Sequence, residues 1–207
     1  RVMVTRRLNL QLVRSLILIC ANTLWVYGLS LLPLADVTAI LFVAPILVTA
    51  LSAPLLGERV NHRQWIGMVL GFAGALVIIR PGSGIMQLAA LFPLGTAFFF
   101  ALYQITTRQL SRTDPPMTTL FYTGLLGALV MSIAVPFFWV TPVTVEWLLL
   151  AMLGVLGGAN HYCIIKALQA APAATVAPST NSILIWATVS GFVFFDDLPD
   201  AWTVVGA

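Results

Sequence analysis

Charge is what this sequence most lacks. Only 8% of its 207 residues are charged, where a soluble domain carries roughly 25%. Such a chain cannot cover itself with a wetted surface, and a soluble globular protein is excluded. The catalytic motifs are missing too. No HExxH, phosphate loop, GxSxG or pair of intramembrane aspartates occurs, so the metalloprotease, nucleotide-hydrolysing and nucleophile-elbow chemistries have no residues to carry them. Cysteine is scarce. Cys20 and Cys163 both lie inside apolar runs and read as small buried hydrophobes, without a disulfide framework. The net charge of +3 does not imply a nucleic-acid partner, because the basic residues stand in ones and twos between apolar runs.

What is present is apolar length. Hydrophobic residues make up 60% of the chain and the mean hydropathy is +1.00. Seven runs are long enough to span a bilayer: 11–32, 36–56, 64–80, 86–107, 117–140, 146–168 and 173–195, with an eighth opening near Ala201. About 20 uncharged residues are what one helix needs to cross the hydrocarbon core. The runs do not alternate with period two, which excludes barrel strands. Turn signals separate them, at Pro33, Gly57, Arg80-Pro81-Gly82, Asp114-Pro115-Pro116, Thr141-Pro142, Pro172 and Leu198-Pro199. The expected fold is an all-α integral membrane bundle, embedded in the lipid bilayer.

Charges on alternate sides set its orientation. With the N-terminal segment in the cytoplasm, the inner side holds Arg1, Arg6, Arg7, Arg14, Arg59, Arg63, Arg108, Arg112 and Lys166, nine of the ten basic residues. The outer side keeps Arg80 with Asp36, Glu146, Asp196, Asp197 and Asp200. Basic residues concentrate in cytoplasmic loops, so a multi-pass inner-membrane protein with this orientation is expected.

The chain also repeats itself. At an offset of 139 residues Pro33 meets Pro172, Val37 meets Val176, Thr49 meets Thr188, Glu58 meets Asp197 and Gly67 meets Gly206. One residue of slippage sets Ala21-Asn22 on Ala159-Asn160. Five spans separate the copies, an odd number, so matching elements cross in opposite directions. Inverted repeats of this kind mark transporters that alternate access around a midplane site.

The segment ADVTAILFVAPILVTALSAPLLGERVNHRQWIGMVLGFAGALVIIRPG resembles the EamA-type members of the drug/metabolite transporter superfamily. The resemblance rests on the Gly57-Glu58-Arg59 loop, the Trp65-x-Gly67 start of the next helix, and its glycines Gly71 and Gly74. The stretch APAATVAPSTNSILIWATVSGFVFFDDLPDAWTVVGA is similar to the second repeat. The resemblance implies ten helices in two inverted five-helix repeats, and a secondary transporter of amino acids, nucleotide-like metabolites or vitamins. On that pattern residues 1–80 are helices three to five of the first repeat. Residues 86–207 are the second repeat, cut in its last helix. A fragment is expected, with seven complete spans and the start of an eighth.

Polar groups inside a membrane are costly and face the interior or a wet path. Asn22, Asn160 with His161, and Asn181 with Ser182 fall near the middle of their spans. Trp25, just past Asn22, and Tyr103, lower in its span beside Gln104, complete a candidate substrate pocket. Each has a plainer reading, since such amides also bridge helices and such rings also pack in cores. His161 is the candidate for proton coupling, because an imidazole carries a proton near neutral pH. Pro45 and Pro178 free mid-helix carbonyls and are candidate hinges. Lys166 reads as snorkelling to the cytoplasm. Gly67, Gly71 and Gly74 read as a close helix contact.

The expected function is alternating-access transport of a small organic solute, without a cofactor, a metal or catalytic residues. Nothing in the sequence sets an oligomeric state. Two alternatives stand beside it. Asp196, Asp197 and Asp200 fit the DDxxD spacing of Mg²⁺-dependent membrane enzymes, although hard cations want a second acidic cluster. A non-transporting membrane scaffold is the other.

Overall fold

The computed structural model describes residues 4–32, 34–79, 88–181, 186 and 192–193. Among these every regular element is helical. In chain order they are α1 (Leu8–Leu31), α2 (Leu34–Leu41), α3 (Val43–Leu56), α4 (His62–Ile79), α5 (Leu91–Leu110), α6 (Pro116–Ala134), α7 (Thr144–Ala170) and α8 (Ala173–Val176). A 3₁₀ turn over Val135–Phe137 prolongs α6, and another over Ala177–Asn181 follows α8. Among the described residues three apolar helical stretches are long enough to cross a membrane: Leu8–Leu31, Pro116–Phe137 and Thr144–Ala170. The second half of the run 173–195 and the eighth run lie largely or wholly outside the described residues.

Proline chemistry sets the breaks. Helix geometry lapses at Phe42, between α2 and α3. Pro45 lacks the N–H that the Leu41 carbonyl needs, so the ladder pauses there. Phe42 keeps near-helical angles (φ −60°, ψ −12°), so the span continues through the pause. At the other end of α3, Gly57 takes a left-handed conformation (φ 67°, ψ 22°), which glycine adopts without the usual Cβ penalty. Its N–H closes on the Ala53 carbonyl, and that of Glu58 on Ser52.

The chain forms two compact units, one of Arg1–Leu16 with Thr106–Ala171, the other of Ile17–Ile105 with Pro172–Ala207. In the second unit small residues carry the packing. Ala21, Ala44, Ala89, Ala90, Ala97, Ala101, Ala173, Ala174 and Ala177 are all buried. Lipid is as apolar as a leucine side chain, so close backbone approach and dispersion hold such helices together. Two glycines let this happen. A Cβ on Gly28 would stand 3.4 Å from Pro93 and 3.6 Å from Val37, and one on Gly95 would stand 3.0 Å from Leu24. Thr96 Oγ1 donates to the Ala21 carbonyl at 3.4 Å, tying α5 to α1, and Tyr27 stacks on Phe92.

Two expectations need correcting. Of the three glycines expected at a close helix contact, Gly67 makes none among the described residues, since a Cβ there would meet nothing within 4 Å. Cys20 and Cys163 are free as expected, yet exposed rather than buried. The reason is shared: in a bilayer the exterior is as apolar as the interior. An apolar neighbourhood in sequence therefore does not say which way a small residue faces. Helix α7 makes the same point, with Leu153, Val155 and Leu156 all exposed along it.

Candidate functional site

In a membrane bundle, buried polar side chains trace the interior. Along α1 the buried face runs Gln11, Arg14, Ser15, Leu18, Ala21, a 3/4 spacing that keeps one side inward. Its first half is polar and its second half apolar.

The polar half belongs to the first unit. Asp114, between α5 and α6, is buried and collects donors from a distant part of the chain. Thr5 Oγ1 donates to it, as do Gln11 Nε2 at 2.8 Å and the Arg6 backbone N–H at 3.3 Å. Burial alone would push the Asp114 carboxyl up. The bonds from Thr5, Gln11, Arg6 and Thr113 outweigh it and hold the carboxyl below its ordinary value. One turn deeper, Arg14 is fully buried. Its Nε donates to Thr107 Oγ1 at 2.6 Å and its Nη1 to Thr123 Oγ1 at 2.5 Å. This corrects the reading of Arg14 as loop charge that only sets topology. Its positive charge also reaches the imidazole of His161 on α7.

His161 is half-buried and its neighbour Asn160 is exposed. Helix α7 ends against cationic and hydroxyl donors. Arg108 Nη1 donates to the Leu168 carbonyl at 2.6 Å, and Ser111 Oγ to the same oxygen at 3.3 Å. A cation at a helix C-terminus complements its dipole.

Asn22, Trp25, Tyr103 and Pro45 fall in the second unit. Asn22 is exposed on α1. Trp25 packs with Leu94 against a core of Leu32, Val37, Ile40, Ala89 and Ala90. Tyr103 is fully buried and stacks on Phe100 with ring centres 5.8 Å apart. Pro45 is buried and Pro178 exposed. The Asn181 backbone closes the second 3₁₀ turn; its side chain, like Asp196, Asp197 and Asp200, lies outside the described residues.

Two further features stand out. Gln104, next to Tyr103, is 1% exposed, and among the described residues neither its amide nitrogen nor its oxygen has a hydrogen-bond partner. A buried, unsatisfied polar group is rare enough to need a reason. The other is the loop after α3. The Ala173 N–H donates to Glu58 Oε1 at 3.2 Å and the Ala174 N–H to Glu58 Oε2 at 3.5 Å. Glu58 thus sits at the start of α8, whose own N-cap residue, Pro172, makes no side-chain cap. Among the described residues no group of three or more histidine, cysteine or acidic side chains could hold a metal ion.

Comparison with known proteins places the chain. The EamA-like transporter family matches residues 5–80 and 87–207. The chain is 28% identical to the S-adenosylmethionine uptake transporter of Rickettsia prowazekii (strain Madrid E), over 98% of this chain and 69% of that protein. It is 30% identical to the riboflavin transporter of Vibrio cholerae serotype O1 (strain ATCC 39315 / El Tor Inaba N16961), again over 98% of the chain and 69% of the relative. A protein of known crystal structure shares the fold, with a TM-score of 0.67 at 22% identity, over 90% of this chain and 69% of that one. The helical bundle, its inward-facing polar groups and these matches agree: the chain belongs to the EamA-like transporter family and is a small-metabolite transporter.

Proposed function

We propose that the protein is a secondary transporter whose solute joins a heteroaromatic ring to a polar chain. It alternates access between two inverted repeats, residues 1–80 and 86–207, with its N-terminal segment in the cytoplasm. It is a carrier rather than an enzyme. Asn22, Trp25, Tyr103, Asn160, His161 and Asn181 contact the solute, Pro45 and Pro178 act as hinges, and His161 takes up the coupled proton. The match of both halves of the chain to one transporter family carries this reading. Two relatives named for solutes of the stated chemistry support the substrate class. The helix pause before Pro45 is compatible with a hinge.

The test is uptake of radiolabelled S-adenosylmethionine and riboflavin into proteoliposomes, with and without an imposed pH gradient. Wild-type protein concentrates one of them, and the gradient speeds it. His161→Gln abolishes the response to the gradient while exchange of solute at equal pH persists. Absence of flux for either solute in the wild type would remove the substrate reading. A gradient response surviving in His161→Gln would remove the coupling role.

A further inference from the structure

We propose that Glu58 and Gln64 form a clasp that holds the start of α8 against the loop after α3, and that releasing it opens this end of the bundle. The inference rests on the transport reading above, because only a transporter has a second state to open into.

The helix starting at Ala173 cannot cap itself. Its sequence, Ala171-Pro172-Ala173-Ala174, offers none of the serine, threonine, aspartate or asparagine side chains that satisfy first-turn N–H groups. Ala173 and Ala174 are buried, at 0% and 2% exposure, so their amides need a partner within the protein. Glu58, 115 residues away in sequence, supplies it with one carboxylate oxygen for each amide. Gly57 makes this possible, because its left-handed turn redirects the chain where α3 stops.

The start of α4, just after this loop, also grips a carbonyl. Gln64 Nε2 donates to the Ala174 oxygen at 3.3 Å, while the Asn61 N–H donates to Gln64 Oε1 at 2.7 Å and fixes which way the amide faces. Ala174 is therefore held at its N–H by the loop after α3 and at its C=O by the first turn of α4. The gripping side chains come from the loop after α3 and from the first turn of α4, and the gripped helix start follows the Ala171-Pro172 break. These are places where a backbone rotation is absorbed cheaply. When the loop swings away, water takes over the freed amides and carbonyl, so the contact is reversible.

The experiment uses the full chain in proteoliposomes, in a Cys20→Ser/Cys163→Ser background, with Ala177→Cys as reporter. Ala177 is buried one turn beyond the clasp. A membrane-impermeant maleimide reads how often this end opens. A carboxylate bond is strong enough that Glu58→Ala should raise the labelling rate roughly tenfold. Glu58→Gln, which keeps one acceptor oxygen, falls between it and wild type. A second reporter, Ala97→Cys, sits in the buried core on α5 and stays unlabelled in both, which excludes general unfolding. Equal labelling of Ala177→Cys with and without Glu58 would overturn the clasp, as would a rise at Ala97→Cys in parallel. Labelling is read without any solute, so absence of uptake by the wild type would defeat the transport reading separately.

Discussion

The Gln64 side chain donates to the carbonyl of Ala174, the very oxygen that Pro178, four residues on, leaves without a helical donor. Within α8 and its 3₁₀ extension, proline creates the deficit, and a side chain 110 residues away corrects it. Replacing Gln64 by leucine strands a buried acceptor, which costs about 1–2 kcal/mol. In a Pro178→Ala background the new N–H takes the Ala174 carbonyl, and the same leucine substitution costs less than half as much. Thermal unfolding of the four proteins in detergent, followed by tryptophan fluorescence, measures the coupling. Equal costs in both backgrounds would sever the link between Gln64 and Pro178.

Asp114 predicts an acid limit. Its carboxyl is held below the ordinary value when folded. Its contribution to stability is therefore complete above the unfolded carboxylate pKa of about 3.9, and is lost as pH falls through the folded value. Asp114→Asn replaces an acceptor oxygen with an amide that faces donors from Thr5 and Gln11, at a cost of about 1–3 kcal/mol. The gap between wild type and variant should stay constant from about pH 5 to 8 and close only below about pH 4. A gap that varied across neutral pH would point to another group.

What could be read from residues alone follows from the range of the interactions. Apolar runs, the stop at Gly57 and the pause before Pro45 are local, and each appears in the sequence as a residue type at a position. Arg14 was misjudged because its partner Thr123 lies 109 residues away, and Asp114 was legible as a turn residue but not as the acceptor for Gln11, 103 residues away. From sequence one is an arginine near a helix start and the other a turn residue before two prolines. Facing was harder still. Cys20, Cys163 and Gly67 point outward in a setting where the outside is apolar, so hydropathy carried no information about them. Glu58 was legible as a landmark of its loop. That it would serve the helix at Ala173 was not, because capping across 115 residues leaves no local trace.

Arg14 predicts a separation of charge from geometry. Its guanidinium reaches Thr107 and Thr123 with two different nitrogens. Lysine keeps the charge but offers a single donor centre, so Arg14→Lys loses one of these bonds, costing about 1–3 kcal/mol. Arg14→Met removes the charge as well. Thr123 is then left with its bond to the Thr119 carbonyl on its own helix. If geometry dominates, both variants lose comparable stability; if burying a charge is itself expensive, methionine is the milder change. We expect lysine to be the more damaging, because it keeps the desolvation cost with poorer bonding. Melting temperatures of the two variants in the same detergent rank them, and a wild-type-like Arg14→Lys would refute the geometric role.

Gln104 predicts a gain. A buried carboxamide with neither atom bonded is destabilising by the desolvation of its donor and acceptor, about 1–3 kcal/mol for each unsatisfied group. Methionine has nearly the same length and no strong polar group. Gln104→Met should therefore raise the melting temperature of the solute-free protein, by about 2–4 °C for each kcal/mol recovered in a chain of this size. Gln104→Glu does the opposite, since it adds a charge where even an amide finds no partner. If Gln104→Met melts at or below the wild-type temperature, the amide is satisfied in the native protein after all, with buried water as its partner. A stabilised Gln104→Met with slower solute flux would then explain why the chain tolerates a stranded amide. Stability given up at that position would be serving transport.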